Sequence, residues 1–396
     1  MKIAVVLENL ITAGGGFNQA LNAILQMQRL SRDKFELEVF TTQAENLTYL
    51  NGLKIDATIF SFSLVDKLLA RLSLNSWWQA IQRRAKLLGP FEKKLLAHKC
   101  HLVYFTTPSH ISPTLQRLNY ILTVWDLCHR DTPEFPEVRD FNQFYTRDYY
   151  CQNYLSPAVV VLVDSTSLAD AISYRYGVDK DRLVPMPFTP SPFLESSMSI
   201  GCEEVLKKYE LNKGYFFYPA QFWAHKNHIR ILEALLLLKE KGISPSIVFA
   251  GRDYGNQGYI ENFARVHGLL NQVHFLGFVA AADMRGLYEG CKAVVMPTYF
   301  GPTNLPPLEA WMMGRPLIYS SQFAEQAGDA AILINPDNAE DLAVAINACS
   351  SQEVCDELIE KGRLRLAEIN KERLDSEIVL LDKLLAFQRK LQCWTN

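Results

Sequence analysis

The stretch FGPTNLPPLEAWMMG, from Phe300 to Gly314, carries a single carboxylate, Glu309, among Leu308, Ala310, Trp311 and Met312. Burying a charged carboxyl without partners is costly, so Glu309 either faces solvent or meets good proton donors, and the vicinal hydroxyls of a ribose are such donors. Pro306 and Pro307 suit the first positions of a helix, where a missing N–H costs nothing. The backbone amides of Thr303, Asn304 and Leu305 then stand at the mouth of that helix. Exposed amides and the helix dipole together favour an anion, so these three are candidate donors to a diphosphate.

A second constellation is YFFYPAQFWAHKNHIRILEAL, in which an apolar strand ends just before His225, Lys226, Asn227 and His228. Open α/β sheets bind ligands at the carboxyl ends of their strands, which makes Lys226 the candidate cation for a phosphate rather than one more surface lysine. An ammonium fixed there would offset charge building up on a leaving diphosphate. His225 and His228 lack an accompanying set of carboxylate or cysteine ligands, so a site without metal is expected. Near the start of the chain, Gly14, Gly15 and Gly16 follow a strand and precede an amphipathic segment. They allow either close approach to a ligand or a purely structural turn, and GGGFNQ lacks the G-x-G-x-x-G spacing of a dinucleotide loop.

The elements that must position these residues alternate strand and helix, the pattern of α/β architecture with parallel sheets. In the first half the strand candidates are KIAVVLE, ELEVFTT, KIDATIF, LVYFTTP, YILTVWD and AVVVLVD; in the second they are YFFYPA, PSIVFAG, VHFLGF, AVVMPT, PLIYS and AAILINP. Two open sheets follow. The Pro- and Ser-rich run beginning at Val184 reads as a linker, with the boundary near Ser191 to Gly201. This divides the chain into domains 1–190 and 191–370, with a terminal helix over 371–396 expected to cross back to the first domain.

With 396 residues and 48% apolar content the chain can bury large cores, and a net charge of -3 gives no support for nucleic-acid binding through a basic surface. The eight cysteines form no C-x-x-C pair, which suits reduced thiols in the cytosol. Met1 leads directly into KIAVVLE without a cationic leader, and no apolar run is long enough to span a bilayer, so a cytoplasmic protein is expected.

The features from Tyr215 to Ile346, including AGDAAILINPDNAEDLAVAI, resemble family 4 of retaining glycosyltransferases with the GT-B fold, and TVWDLCHRDTPEFPE and the glycine-rich entrance extend the resemblance over nearly all of the chain. It implies an α/β fold of two Rossmann-like domains with an interdomain cleft, and transfer of a sugar from a nucleotide-diphosphate donor with retention at the anomeric carbon. It also implies donor binding mainly on the second domain and acceptor binding on the first. By position in the family pattern, Glu309 matches the ribose carboxylate, Lys226 the diphosphate lysine, Asn304 and Leu305 the phosphate-facing turn, and Gly277, Phe278 and Val279 the loop bordering the nucleobase. Gly15 and Gly16 would border the site from the first domain, where Asp126 is a candidate acceptor-side or loop-stabilising residue. The resemblance calls for no metal or resident cofactor.

The sequence departs from that pattern at three places. Gly301 stands where many members have a glutamate that contacts the donor sugar, Gln221 where an arginine accompanies the lysine, and Trp125 where a histidine precedes the aspartate. Arg252 could replace the lost charge, and His129 could replace the lost histidine or simply be an exposed loop residue. These departures also fit a catalytically impaired glycan or nucleotide-sugar binding module, and a nucleotide-sugar epimerase is a third reading that acceptor dependence would distinguish.

The segment from Leu64 to Lys99 combines apolar helical spacing and Trp77 and Trp78 with Lys67, Arg71, Arg83, Arg84, Lys86, Lys93 and Lys94. It could dock peripherally on an anionic membrane at the cytosolic face and so serve a lipid-linked saccharide acceptor, or it could pack its apolar side on the first sheet. The setting implied by the resemblance is cell-surface polysaccharide or lipopolysaccharide assembly.

Overall fold

Near-continuous apolar runs form the strands, as expected for parallel sheets covered on both faces. In the computed structural model, which describes residues 1–11, 14–194, 200–301 and 304–394, the first sheet contains β1 (Lys2–Leu7), β2 (Glu36–Thr41), β3 (Ala57–Ile59), β4 (Leu102–Phe105), β5 (Asn119–Val124), β6 (Val160–Val163) and β7 (Leu183–Pro185). They are parallel, in the order β3-β2-β1-β4-β5-β6-β7. The second sheet contains β8 (Tyr215–Tyr218), β9 (Ile247–Phe249), β10 (Val273–Phe275), β11 (Cys291–Met296), β12 (Leu317–Ser320) and β13 (Ile332–Ile334), parallel in the order β10-β9-β8-β11-β12-β13. The α/β class and the two open sheets expected from the strand and helix pattern are thus present, in the Rossmann-like form that the resemblance implies.

The energetic reason is plain in β1, where Ile3 to Leu7 are all buried. Ile3, Val5, Val6 and Leu7 each contribute roughly 1.5–3 kcal/mol on burial, against the backbone entropy of ordering the strand. Helices make the parallel crossovers; Gly15–Ser31, for example, connects β1 to β2 and buries Phe17, Leu21, Ile24 and Met27.

By its contacts the chain forms two units. The first comprises Met1–Asp131, Phe141–Phe188 and the chain from Glu372 onward; the second comprises Thr132–Asp140 and Thr189–Lys371. Two sequence expectations need correction here. The run from Val184 is not a linker at its start, because Val184 and Pro185 belong to β7 and pair with β6. β7 is an edge strand, the one place in a sheet where a proline's missing N–H is tolerated. The terminal helix begins at Gln352, well before Glu372, and runs unbroken to Lys390. Its residues through Lys371 belong to the second unit and those from Glu372 to the first.

The basic segment folds as helices Leu64–Leu72, Ser76–Ala85 and Pro90–Ala97. Ser63 and Asp66 form a reciprocal capping box that starts the first of them. The expectation that the segment packs its apolar side on the first sheet holds in part. Phe91 and Leu95 enter the core, whereas Leu64, Leu68 and Trp77 are 84%, 56% and 58% exposed. Among the described residues, no helix is long and apolar enough to cross a membrane.

In each sheet the build direction reverses beside the first strand laid down: between β1 and β4 in one, between β8 and β11 in the other. Ligands of open α/β sheets bind outside the carboxyl ends of strands at such switch points.

Candidate active site

At the β8/β11 switch point of the second unit, the chain leaves β8 and reaches a short turn, Ala224–Lys226, followed by the helix His228–Glu240. Asn227 joins them in the left-handed conformation, φ 55°, which asparagine tolerates better than most side chains. Its side-chain amide donates to the Pro297 and Pro336 carbonyls at 3.0 and 2.9 Å. The Tyr218 hydroxyl donates to the Lys226 carbonyl at 2.8 Å, and the Tyr299 amide to the His225 carbonyl at 2.9 Å. The turn bearing Lys226 and the loop after β11 are therefore pinned to each other by backbone groups on both sides.

The Lys226 ammonium donates to Asn304 Oδ1 at 3.3 Å. Asn304 precedes the helix Leu305–Met312 and caps it in extended conformation, yet its side chain makes no capping bond. It serves the site instead, donating through Nδ2 to the Tyr319 hydroxyl at 2.7 Å. The expectation that the Asn304 backbone amide is open to a phosphate is corrected: that amide donates to Gln326 Oε1 at 3.1 Å, and Gln326 Nε2 returns a bond to the Asn304 carbonyl at 2.9 Å. Leu305 occupies the first turn, where a helix gives its own N–H groups no partner. Thr303 lies outside the described residues.

Glu309 does not face solvent. It is 6% exposed, and Tyr288 donates to Oε2 at 2.6 Å. Burial raises its carboxyl above the usual range, opposed by the Tyr288 hydroxyl and the Ser191 backbone amide. The partners that its burial demands are thus supplied in part by the protein, through two residues the sequence did not single out.

Gly301 has φ 145°, a backbone region reserved for glycine. A Cβ added there would stand 2.9 Å from Asn304 Oδ1 and 3.5 Å from Lys226 Nζ. Beside it, the His225 ring stacks on Phe300 with centroids 3.8 Å apart, and Glu137 pairs with His225 Nδ1 while accepting its backbone N–H at 3.0 Å. His228 is engaged elsewhere: it is buried against Phe222 and Tyr218, and burial lowers it to about 3, so it is a neutral core residue. The two histidines do not converge.

On the β9 side, Gln221 Oε1 accepts the Arg252 backbone N–H at 2.5 Å, and the Arg252 guanidinium lies 4.8 Å from the centre of the Phe278 ring. The Gly277 carbonyl accepts the Gly251 N–H at 2.8 Å; Phe278 is largely exposed and Val279 buried. Gln221, Arg252, Gly277 and Phe278 thus form one connected group, in which Arg252 keeps its charge exposed.

In the first unit, Gly15 opens the helix after β1, and a Cβ at Gly16 would meet Asn9 Nδ2 at 2.8 Å and the Trp125 ring at 3.4 Å. The tight approach at Gly16 is to the Asn9 side chain, while the Trp125 ring lies at ordinary contact distance. Asp126 is ion-paired with Arg147 and accepts the Cys128 N–H at 2.9 Å. Burial alone would raise its carboxyl, but Arg147 and Cys128 outweigh that and hold it below the usual range. His129 is no exposed loop residue: it sits in the short helix Cys128–Asp131 with no exposed surface, and its Nε2 lies 3.1 Å from the Tyr176 hydroxyl. A ring with no exposed surface cannot touch a sugar in this arrangement, which places His129 in the core rather than in a binding site.

Residues 203–365 match the family model described as glycosyl transferases group 1. The O-antigen chain mannosyltransferase B of Escherichia coli is 24% identical over 196 residues, covering 48% of this chain and 51% of that protein. The O-antigen chain mannosyltransferase RfbU of Salmonella typhimurium is 26% identical over 224 residues, covering 53% of this chain and 58% of that protein. The chain therefore matches little more than half the length of these relatives. Among solved structures, Anabaena Alr3699/HepE in complex with UDP-glucose superposes with TM-score 0.69 at 16% identity, over 96% of this chain and 99% of that one. The chain has the two-sheet fold of the GT-B glycosyltransferases, and its second unit carries the stretch that matches glycosyl transferases group 1.

Proposed function

We propose that the chain is a retaining glycosyltransferase of family 4 that moves a sugar from a nucleotide-diphosphate donor to a glycan or lipid-linked acceptor, in cell-surface polysaccharide or lipopolysaccharide assembly. The observation that carries this reading is the placement of Lys226 against Asn304 at the start of the Leu305–Met312 helix, with Glu309 buried one turn further in. A diphosphate takes Lys226 and the helix start, the ribose takes Glu309, and the base lies along Gly277, Phe278 and Val279, with Arg252 adding charge beside Phe278. The relatives named above, both O-antigen mannosyltransferases, agree with the setting.

In the reaction, the bond between the anomeric carbon and the diphosphate oxygen breaks through an oxocarbenium-like transition state, and the acceptor oxygen bonds to the same carbon from the same face. The acceptor proton passes to the departing diphosphate oxygen, so no covalent enzyme nucleophile is needed. Lys226 and the Leu305 amide at the helix start stabilise the charge that grows on the diphosphate. That electrostatic work requires no metal, and full activity in EDTA is the expected result.

The exposed Leu64, Leu68 and Trp77, among exposed cations that include Lys67, Arg71, Arg83 and Arg84, would bring the first unit to an anionic bilayer at the cytosolic face. Flotation with anionic but not neutral liposomes, weakened by salt, is expected; recovery in the bottom fraction with both would remove the membrane step. The donor assignment is tested by calorimetry with UDP, GDP, dTDP and ADP sugars. Saturable binding of at least one supports it, and failure of all four counts against it.

A further inference from the structure

Glu8 directly follows β1, and Ser109 lies in the loop that follows β4, so the two flank the switch point of the first sheet. They hold the position in the first unit that Lys226 and Gly301 hold in the second, where the loops after β8 and β11 flank the other switch point. The backbone around Glu8 is fixed. Its carbonyl accepts from the Thr42 hydroxyl at 3.2 Å and from Gln43 Nε2 at 3.4 Å. Asn46 holds the following residues, donating to the Asn9 carbonyl at 2.8 Å and accepting the Ile11 N–H at 3.0 Å.

The Glu8 side chain is less completely served. Ser109 accepts the Ile111 N–H on its oxygen at 3.1 Å, and its hydroxyl favours the charged form of the Glu8 carboxyl. Glu8 Oε1 is buried and has no hydrogen-bond partner among the described residues. Burial, opposed only by Ser109, raises the carboxyl to about 7, and no cation contributes to that balance. Tyr150, on the helix Gln143–Tyr154, feels the charge of Glu8, and the exposed His110 ring lies edge-on to Tyr150 at 6.4 Å. A buried acceptor oxygen costs stability until a donor reaches it. With a neutral donor, a hydroxyl, the site gains that bond without desolvating a second charge.

We infer that Glu8 and Ser109 form a hydroxyl-binding subsite at the β1/β4 switch point of the first unit, which holds a saccharide through a ring hydroxyl donating to Glu8. As a reading of the acceptor side it rests on the transferase proposal, and it names Glu8 as the residue that positions the acceptor. Glu8 needs to bind the hydroxyl only; the proton leaves with the diphosphate as described above.

The test uses the full chain carrying glutamate labelled with 13C at the carboxyl carbon, with the Glu8 resonance assigned by its loss in Glu8→Gln. The probes are the methyl α-glycosides of glucose, mannose, galactose and N-acetylglucosamine. Saturable movement of the Glu8 resonance with at least one glycoside is expected, together with a fall in its titration midpoint, because a bond to the charged form favours that form. Glu8→Ala should weaken that glycoside by about tenfold or more, the effect of losing one hydrogen bond to a charged group, and Ser109→Ala should weaken it less. A purely structural Glu8 would leave the midpoint unmoved by sugar. The inference is overturned if no glycoside moves the resonance, or if folded Glu8→Ala and Ser109→Ala both bind within about twofold of the unaltered chain. Nucleotide-sugar binding, measured on the same samples, reports on the second unit alone, so a failed donor site and a failed Glu8 subsite give different results.

Discussion

The Lys226 ammonium and the Asn304 carboxamide oxygen lie 3.3 Å apart, and this contact joins the turn after β8 to the residue that starts the Leu305–Met312 helix. The pairing explains why Asn304 forgoes its capping bond: the same side chain cannot both cap the helix and hold Lys226 and Tyr319.

Lys226→Ala should lower the transfer rate by about 10²–10³-fold, the cost of removing one preorganised charge from a departing anion. Nucleotide affinity should fall by less, because the charge is worth most in the transition state. Steady-state kinetics beside calorimetry separate the two effects, and an unchanged rate would remove Lys226 from its role.

Tyr288→Phe should destabilise the fold by about 1–3 kcal/mol, since it takes one donor from a buried carboxyl. Denaturant melts read this directly. Glu309→Gln keeps the shape but gives up the carboxylate, so its effect should fall on nucleotide affinity, weakened by about tenfold. Equal affinity in folded Glu309→Gln would exclude the ribose role.

Gly301→Glu, which installs the residue common at this place in the glycosyltransferase pattern that the sequence resembles, should impair rather than improve the protein. At φ 145° any Cβ is strained, and here it would also press on Asn304 Oδ1. A loss of about 1–3 kcal/mol in stability is expected from the backbone alone, with weaker nucleotide binding as Asn304 and Lys226 shift. A variant as stable and as active as the parent would show that the turn is more adaptable than this.

His129 gives the protein an acid limb of stability. Burial lowers its folded value to about 4 from 6.5, so between those values the unfolded chain binds more protons than the folded one. The stability that His129 contributes is complete above about 6.5 and is lost as pH falls towards 4. The depression is worth about 3 kcal/mol at most. Melts across this range should show a smaller acid loss in His129→Gln, and identical slopes would mean that other groups govern it.

The twelve apolar runs read as strands all became strands; those buried along their length, such as β1, declare themselves by composition, whereas β3 is largely exposed and is held at the other sheet edge by β2. β7 is harder to read because Leu183–Pro185 is short and ends in a proline, although Leu183 and Val184 are buried and the strand pairs with β6 at the sheet edge. In the site, Lys226 and Glu309 were legible because strand ends and helix starts are local signals. Tyr288 beneath Glu309, Gln326 on the Asn304 amide and Glu137 on His225 were not. Each acts on a residue distant in sequence, and no local pattern encodes such a partnership. Neither sequence reading of His129, a replacement site histidine or an exposed loop residue, foresaw its burial, because nothing adjacent to it announces Tyr176 and Asp148 as its surroundings.

Acceptor-dependent release of nucleotide from the tightest-binding sugar donor, with a lipid-linked saccharide extract as acceptor, tests the transferase reading most directly. Release that needs the extract, survives EDTA, and falls by about 10²–10³-fold in Lys226→Ala is expected. Release that proceeds equally without any acceptor, or none at all from a donor that binds saturably to a chain supplied with acceptor, would contradict it.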